Sequence, residues 1–342
     1  MPAEALAAAI KRLAHGGSLT ADEAATAFGD VMRGDATPPQ VAALLMGLRV
    51  KGEHADEVAG AARALRDAML HLPADRPDEL VDTCGTGGGA VTTFNISTAA
   101  ALVAAGAGAR IAKHGNRSFT SRSGSADVLE ALGVRIDVSP EIMARSLREA
   151  GIVFMFAPLM HPAMRHVGPV RRDLAIPTVM NIIGPLANPA GAGRQVVGVA
   201  DAHRLPLIAG ALQALGSVHT MVVHGEPGLD EVSPLGITTV IEIVDNTASQ
   251  WTIDPATYGF SGIAAGELAG GEPADNARVI EAVLGGGGTH GARAAVVLNA
   301  AAALFVGGQA RDYADGVARA TRAIDDGSGR AALERLRRAT AA

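Results

Sequence analysis

One window of the chain is rich in hydroxyl, glycine and cationic residues and empty of acids. Between Asp82 and Asp127 there is no Asp or Glu, yet Arg110, Lys113, Arg117 and Arg122 all fall there. The window reads Thr83-Cys84-Gly85-Thr86-Gly87-Gly88-Gly89, then Asn95-Ile96-Ser97-Thr98, then Lys113-His114-Gly115-Asn116-Arg117 and Ser121-Arg122-Ser123-Gly124-Ser125. Backbone N–H groups in Gly-rich turns and at helix starts point at anions, and hydroxyls add donors. The window therefore suits a phosphate-rich ligand. It is neither a P-loop, since no Gly-Lys-Ser/Thr follows, nor a strict GxGxxG fingerprint. A single glycine run is equally well a flexible turn, but two such loops in one acid-free window favour the anion reading.

Two further groups could do chemistry. Asp230-Glu231 follows a short apolar run and the loop His224-Gly225-Glu226-Pro227-Gly228. Adjacent carboxylates in an extended loop point apart, so they hold two separate cations more easily than they chelate one. Such a sparse, all-oxygen donor set suits Mg²⁺ completed by water and substrate phosphates. Two solvated loop acids have the same sequence, and the phosphate-suited loops elsewhere tip the choice toward the cation. The second group is basic: His161, Arg165, His166, Arg171 and Arg172, with no acid from Gly151 to Arg172. Such a face is either solvated surface or, placed after a sheet strand, a grip on a carboxylate through two parallel N–H bonds.

The elements that must position these groups follow from periodicity and capping. Residues 3–71 read as helices only. Leu6, Ile10 and Leu13 share one face, Thr20-Ala21-Asp22-Glu23 is a capping box, and Thr37-Pro38-Pro39-Gln40 opens a third helix with Pro at its first position. A fourth is expected over about 54–71. This helical part is a subunit interface or plain structural packing. From Glu79 the pattern becomes strand, loop, helix, repeated, with strands expected at 80–82, 110–113, 152–156, 196–199, 221–223 and 239–243. Helices are expected at 97–105, from 126, from 139 to 151, at about 204–215 and from 274 onward, with a break at 285–288. The fold expected is α/β: a small N-terminal all-helical domain plus a larger α/β domain with a mostly parallel central sheet flanked by helices. In such sheets ligands bind at the carboxyl ends of neighbouring strands.

Composition removes other classes. The chain has 342 residues, a net charge of −6 and only 3% aromatic residues. An acidic balance argues against nucleic acid as a partner. Cys84 is the only cysteine, so neither an internal disulfide nor a cysteine zinc cluster is expected, and it reads as a small residue beside a tight turn. The apolar runs near 96–109 and 294–307 fall short of a membrane span. Met1-Pro2-Ala3-Glu4 lacks the basic start of a signal peptide. A cytoplasmic protein with no membrane partner is expected.

The ordered set Gly85-Thr86-Gly87-Gly88, Asn95-Ile96-Ser97-Thr98, Lys113-His114-Gly115-Asn116-Arg117, His161-Pro162-Ala163-Met164-Arg165, 181–189 and Gly228-Leu229-Asp230-Glu231 resembles the anthranilate phosphoribosyltransferases across nearly the whole chain. The resemblance implies transfer of a phosphoribosyl group from phosphoribosyl diphosphate to anthranilate in tryptophan biosynthesis. It implies a helical domain at 1–72, joined by helices from about 161–190, an α/β domain at 73–342, and a homodimer paired through the helical domain. It places phosphoribosyl diphosphate on Gly85, Gly88, Gly89, Thr93, Asn95, Ile96, Ser97, Thr98, Lys113, His114, Gly115, Asn116, Arg117, Ser118, Phe119, Thr120, Ser121 and Ser125. Anthranilate falls to Gly85, His114, Asn116, His161, Arg171, Gly184 and Pro185, with Arg171 on the carboxylate. Two Mg²⁺ ions are implied, one on Ser97 and Glu231, the other on Asp230 and Glu231. No residue is implied as acid or base. One position departs: the family usually carries Asp where this chain has Gly89, which predicts altered Mg²⁺ dependence and retained activity. Three rival readings stand beside this one: a pyrimidine nucleoside phosphorylase, a non-catalytic nucleotide- or nucleic-acid-binding relative, and relaxed acceptance of another aromatic amine.

Overall fold

The computed structural model describes residues 4–118 and 122–341, and the elements below are those of the described residues. Four helices open the chain: α1 (Glu4–Ala14), α2 (Ala21–Arg33), α3 (Pro38–Lys51) and α4 (Ala55–Asp67). The capping box at α2 forms as its sequence predicts, with Thr20 N donating to Glu23 Oε2 at 2.8 Å and Glu23 N to Thr20 Oγ1 at 3.2 Å. Leu6 and Leu13 are buried and Ile10 packs beside them. Helix α4 stops short of the expected end because its followers spend their N–H groups elsewhere. Leu70 N donates to Met160 O and Leu72 N to Pro189 O.

The remainder is built on a sheet whose strands are β1 (Leu80–Gly85), β2 (Arg110–Gly115), β3 (Ile152–Phe156), β4 (Arg194–Gly198), β5 (His219–Gly225), β6 (Thr238–Val244) and β7 (Thr247–Ile253). The order is β3-β2-β1-β4-β5-β6-β7. The pairs from β3 through to β5 are parallel, whereas β5–β6 and β6–β7 are antiparallel. Between them run α5 (Ile96–Gly106), α6 (Ser125–Ala131), α7 (Pro140–Ala150), α8 (Ala157–Met160), α9 (Gly168–Leu174) and α10 (Leu205–Ala214). The chain closes with α11 (Pro273–Leu284), α12 (His290–Val306), α13 (Tyr313–Asp325) and α14 (Ser328–Thr340).

Two large apolar cores flank the sheet. One gathers α5, α12, α13 and α14 through alanines that leave little space between helices. The other joins α1–α4 to the segment 163–187, to α10 and to the opposite sheet face. The strand order reverses between β1 and β4, where the crossovers leave in opposite directions. That switch point is where open α/β sheets form a ligand crevice.

Candidate active site

At the switch point Gly85 ends β1 directly opposite Gly198 at the end of β4. The acidic loop between β5 and β6 lies across both. A Cβ on Gly198 would stand 1.7 Å from the Asp230 carbonyl oxygen, and one on Gly85 2.5 Å from Asp230 Oδ2. Only glycine permits that approach. The glycine-rich turn after β1 is tied to the same loop, since Gly87 N donates to Asp230 Oδ2 at 2.7 Å and Ala90 N to Gly228 O at 2.9 Å. The N–H groups of Gly88 and Gly89 meet no acceptor among the described residues.

The start of α5 faces the second carboxylate. Ser97 N donates to Glu231 Oε1 at 3.1 Å, and Lys113 Nζ reaches Ser97 Oγ at 3.2 Å and Thr83 Oγ1 at 3.3 Å. Lys113 is 3% exposed and also donates to the Thr83 carbonyl. Asp82 and Glu231 thus share one buried cation, and Asp230 lies beside Glu231. Burial, and then the charge of Asp230, pushes the Glu231 carboxyl up to about 8, while burial raises Asp230 and takes Asp82 to about 6. Burial lowers the Lys113 ammonium, against the pull of Asp82. A divalent cation beside these carboxylates would favour the ionised forms that burial and mutual repulsion oppose. No group of three or more His, Cys, Asp or Glu side chains suited to a metal occurs among the described residues. The donors available are Ser97 Oγ and two carboxylates, which fits Mg²⁺ completed by water and phosphate oxygens and does not fit zinc.

The other residues read from the sequence fall as follows. Asn95 caps α5, donates to Ser123 O at 3.0 Å and accepts from Asn276 Nδ2 at 2.9 Å. Thr93 bridges to Ala269, and Ile96 and Thr98 are buried in the first turn of α5. Gly115 and Asn116 end β2 against Ser125, whose hydroxyl donates to Asn116 O at 3.3 Å. Ser118 N and Gly124 N both donate to Asp127 Oδ2, closing the neck of the loop. Phe119, Thr120 and Ser121 lie outside the described residues. Two cations of the acid-free window have protein partners in this structure. Arg110 sits at the amino end of β2, donating to Asp75 O, and Arg117 is paired with Asp127 and Glu130 while lying over the Phe156 ring.

On the other side of β2, His114 and His161 meet through their Nε2 atoms at 3.1 Å. Burial drives His114 down to about 3 and His161 to about 4, so both rings are neutral. The Gly184 carbonyl faces His114. The turn Gly184–Leu186 is fixed by Gln195 Nε2 on Pro185 O at 2.8 Å and by Arg66 Nε on Leu186 O at 2.7 Å. Arg171, half-buried on α9, has no carboxylate partner among the described residues, and burial lowers its guanidinium. It makes no hydrogen bond to the histidine pair.

Several contributors were passed over in the sequence. Asp82 accepts from His114 N at 3.1 Å and from Asn188 Nδ2 at 2.7 Å, which ties β1 to β2 under the site. Asn276, Asn299 and Arg66 belong with it. Only Asn299 carried a clear signal, a polar residue inside the apolar stretch of α12, which rarely survives burial without a partner.

Models of the glycosyl transferase family match both parts of this architecture: the helical bundle domain over residues 7–69 and the a/b domain over 77–330. That gives the class. An anthranilate phosphoribosyltransferase of Anaeromyxobacter sp. (strain K) is 50% identical over 332 residues, covering 97% of this chain and 98% of the relative. The crystal structure of the Thermus thermophilus anthranilate phosphoribosyltransferase superposes with a TM-score of 0.91 at 40% identity, over 98% of this chain and 99% of that one. The Saccharomyces cerevisiae enzyme in complex with PRPP and Mg gives 0.88 at 29% identity, over 98% of each chain. The chain belongs to the anthranilate phosphoribosyltransferase family.

Proposed function

We propose that the chain transfers the phosphoribosyl group of 5-phosphoribosyl 1-diphosphate to the amine of anthranilate, giving N-(5-phosphoribosyl)anthranilate and diphosphate, in tryptophan biosynthesis. The observation that carries this reading is the charge balance at the switch point. Asp82 and Glu231 flank one buried lysine and Asp230 adds its charge to Glu231, beside a glycine turn with unspent N–H groups. Two Mg²⁺ ions are assigned there, Ser97 and Glu231 holding one and Asp230 and Glu231 the other. When bound, they neutralise the charge that develops on the departing diphosphate.

As the C1–O bond breaks, positive charge builds on the sugar ring and negative charge on the diphosphate. The N–H groups of Gly88 and Gly89 and the Ser97 hydroxyl are fixed donors toward that leaving group. Arg171 grips the anthranilate carboxylate through its forked N–H groups. His114, His161 and the Gly184-Pro185 turn wall the ring, and Asn116 stands beside it. The aromatic amine is neutral at pH 7 and sheds its proton only after attack, so the two neutral histidines need not act as bases. Holding the amine in line with C1 supplies the remaining acceleration.

The assignment divides the chain into a helical domain at 1–72, completed by helices from 161–190, and a transfer domain at 73–342. It extends to a cytoplasmic homodimer paired through the helical domain, where Val50 is 79% exposed. No helix among the described residues is long and apolar enough to cross a membrane. Sedimentation that finds a monomer at micromolar concentration removes the dimer. The activity is tested by following anthranilate fluorescence with phosphoribosyl diphosphate and Mg²⁺ each present or omitted. Fluorescence must fall only in the complete mixture. Thymidine phosphorolysis, or tight DNA binding without turnover, overturns the assignment.

A further inference from the structure

Helix α12 is apolar from Ala294 to Val306 except at Asn299, which is 3% exposed. Its amide is fully spent. Nδ2 donates to Ala295 O of its own helix at 2.9 Å and to Val232 O at 2.8 Å, and Oδ1 accepts from Val232 N at 2.9 Å. Val232 lies outside any strand, in the loop between β5 and β6, and its buried N–H and C=O must find partners. Asn299 supplies both, as a neighbouring strand would. The next residue along is secured as well, since Ser233 N donates to Thr238 Oγ1 at 2.9 Å and its hydroxyl to Glu226 O.

Val232 is bonded directly to Glu231, whose carboxylate accepts from Ser97 N. Glu231, Ser97, Thr83 and Asn299 line the same small cavity. A two-handed grip on Val232 fixes the backbone one residue from the carboxylate, and so fixes how far Glu231 reaches toward Ser97. We propose that Asn299 is a positioning residue of the cation site, holding the acidic loop from behind so that Glu231 and Asp230 present their oxygens in register. This rests on the cation reading of Asp230 and Glu231 above. Removing partners that orient a metal ligand typically costs 10–100-fold in metal affinity.

The test compares Asn299→Ala and Asn299→Asp with Glu231→Gln in the full-length chain. The Asp variant keeps the acceptor for Val232 N–H and provides a folded chain should the Ala variant precipitate. Mn²⁺ binding is read by electron paramagnetic resonance with inorganic diphosphate present, alongside the Mg²⁺ concentration giving half-maximal rate, the anthranilate KM and thermal unfolding of the metal-free chain. The expected result is Mn²⁺ affinity weakened about tenfold or more, a matching rise in the Mg²⁺ requirement, and an anthranilate KM within about twofold of the parent. A folded Asn299 variant that binds Mn²⁺ like the parent while Glu231→Gln does not removes the role assigned to Asn299. If Glu231→Gln itself leaves Mn²⁺ binding unchanged, the cation reading falls and this inference falls with it.

Discussion

His114 and His161 stand 47 residues apart in the chain and 3.1 Å apart at their Nε2 atoms. Two charged rings cannot share that contact, and burial holds both near or below 4. The sign of the pH effect follows. Below the unfolded value of about 6.5 the unfolded chain takes up protons that the folded chain refuses, so stability falls as pH drops from 6.5 toward 4. Asp82 works in the opposite direction, since its raised value of about 6 makes stability fall as pH rises from about 4 to 6. A difference between two chains that share Asp82 isolates the histidine. Between pH 7.5 and pH 5, the stability advantage of the parent over His161→Gln is expected to shrink by about 2 kcal/mol. Urea unfolding at both pH values measures it, and an unchanged gap refutes the neutral pair. Both histidines were legible as residue types within motifs, but their meeting was not, because spacing along a chain does not say which strands become neighbours. For the same reason the acid-free window did not show that Arg110 reaches Asp75 O or that Arg117 pairs with Asp127.

At the scale of elements, the β-branched runs reported the parallel strands well, and the glycine turns marked where their carboxyl ends would gather. Strand β7 escaped because Thr247–Ile253 is mostly exposed and shows no apolar alternation. The cue was present in Asp245-Asn246, both at positive φ, 46° and 66°, which is a two-residue hairpin turn. The turn after β1 carries a consequence for chemistry. Gly89 does not occupy the left-handed region, and a Cβ there would meet Gly228 O at 3.1 Å and Asp230 Oδ1 at 3.5 Å. A side chain therefore fits with a small shift, and an added carboxylate would stand beside Asp230. One more charge about 4 Å from a cation contributes about 1 kcal/mol even where bulk water screens it. Gly89→Asp is expected to lower the Mg²⁺ concentration for half-maximal rate by about fivefold, with activity retained at saturation. Superimposable Mg²⁺ titrations of the two chains would retire that expectation.

At the scale of the whole molecule, the proposed acceptor side of the site is assembled by parts that the sequence presents as separate. Helices α1–α4 share one core with the segment 163–187 and with α10, and no local pattern announces that partnership. Arg66 is the polar link across it, with its guanidinium buried and its Nε donating to the Leu186 carbonyl at 2.7 Å. The same turn carries Gly184 and Pro185, the wall proposed for the acceptor ring, while Gln195 holds it from the sheet side. Arg66 therefore connects the helical layer to the acceptor wall and touches nothing on the diphosphate side. A hydrogen bond from a charged donor is worth about 1.5–3 kcal/mol. Arg66→Met keeps the apolar stem and removes the donor, so the turn loses one of its side-chain tethers. The anthranilate KM is expected to rise about tenfold, which corresponds to about 1.4 kcal/mol, while the KM for phosphoribosyl diphosphate stays within about twofold. Steady-state kinetics with each substrate varied in turn decides it. If both constants rise together, Arg66 serves the fold at large and not the acceptor wall. If neither moves, the contacts of Gln195 and Cys84 with the Pro185 carbonyl are enough to hold the turn.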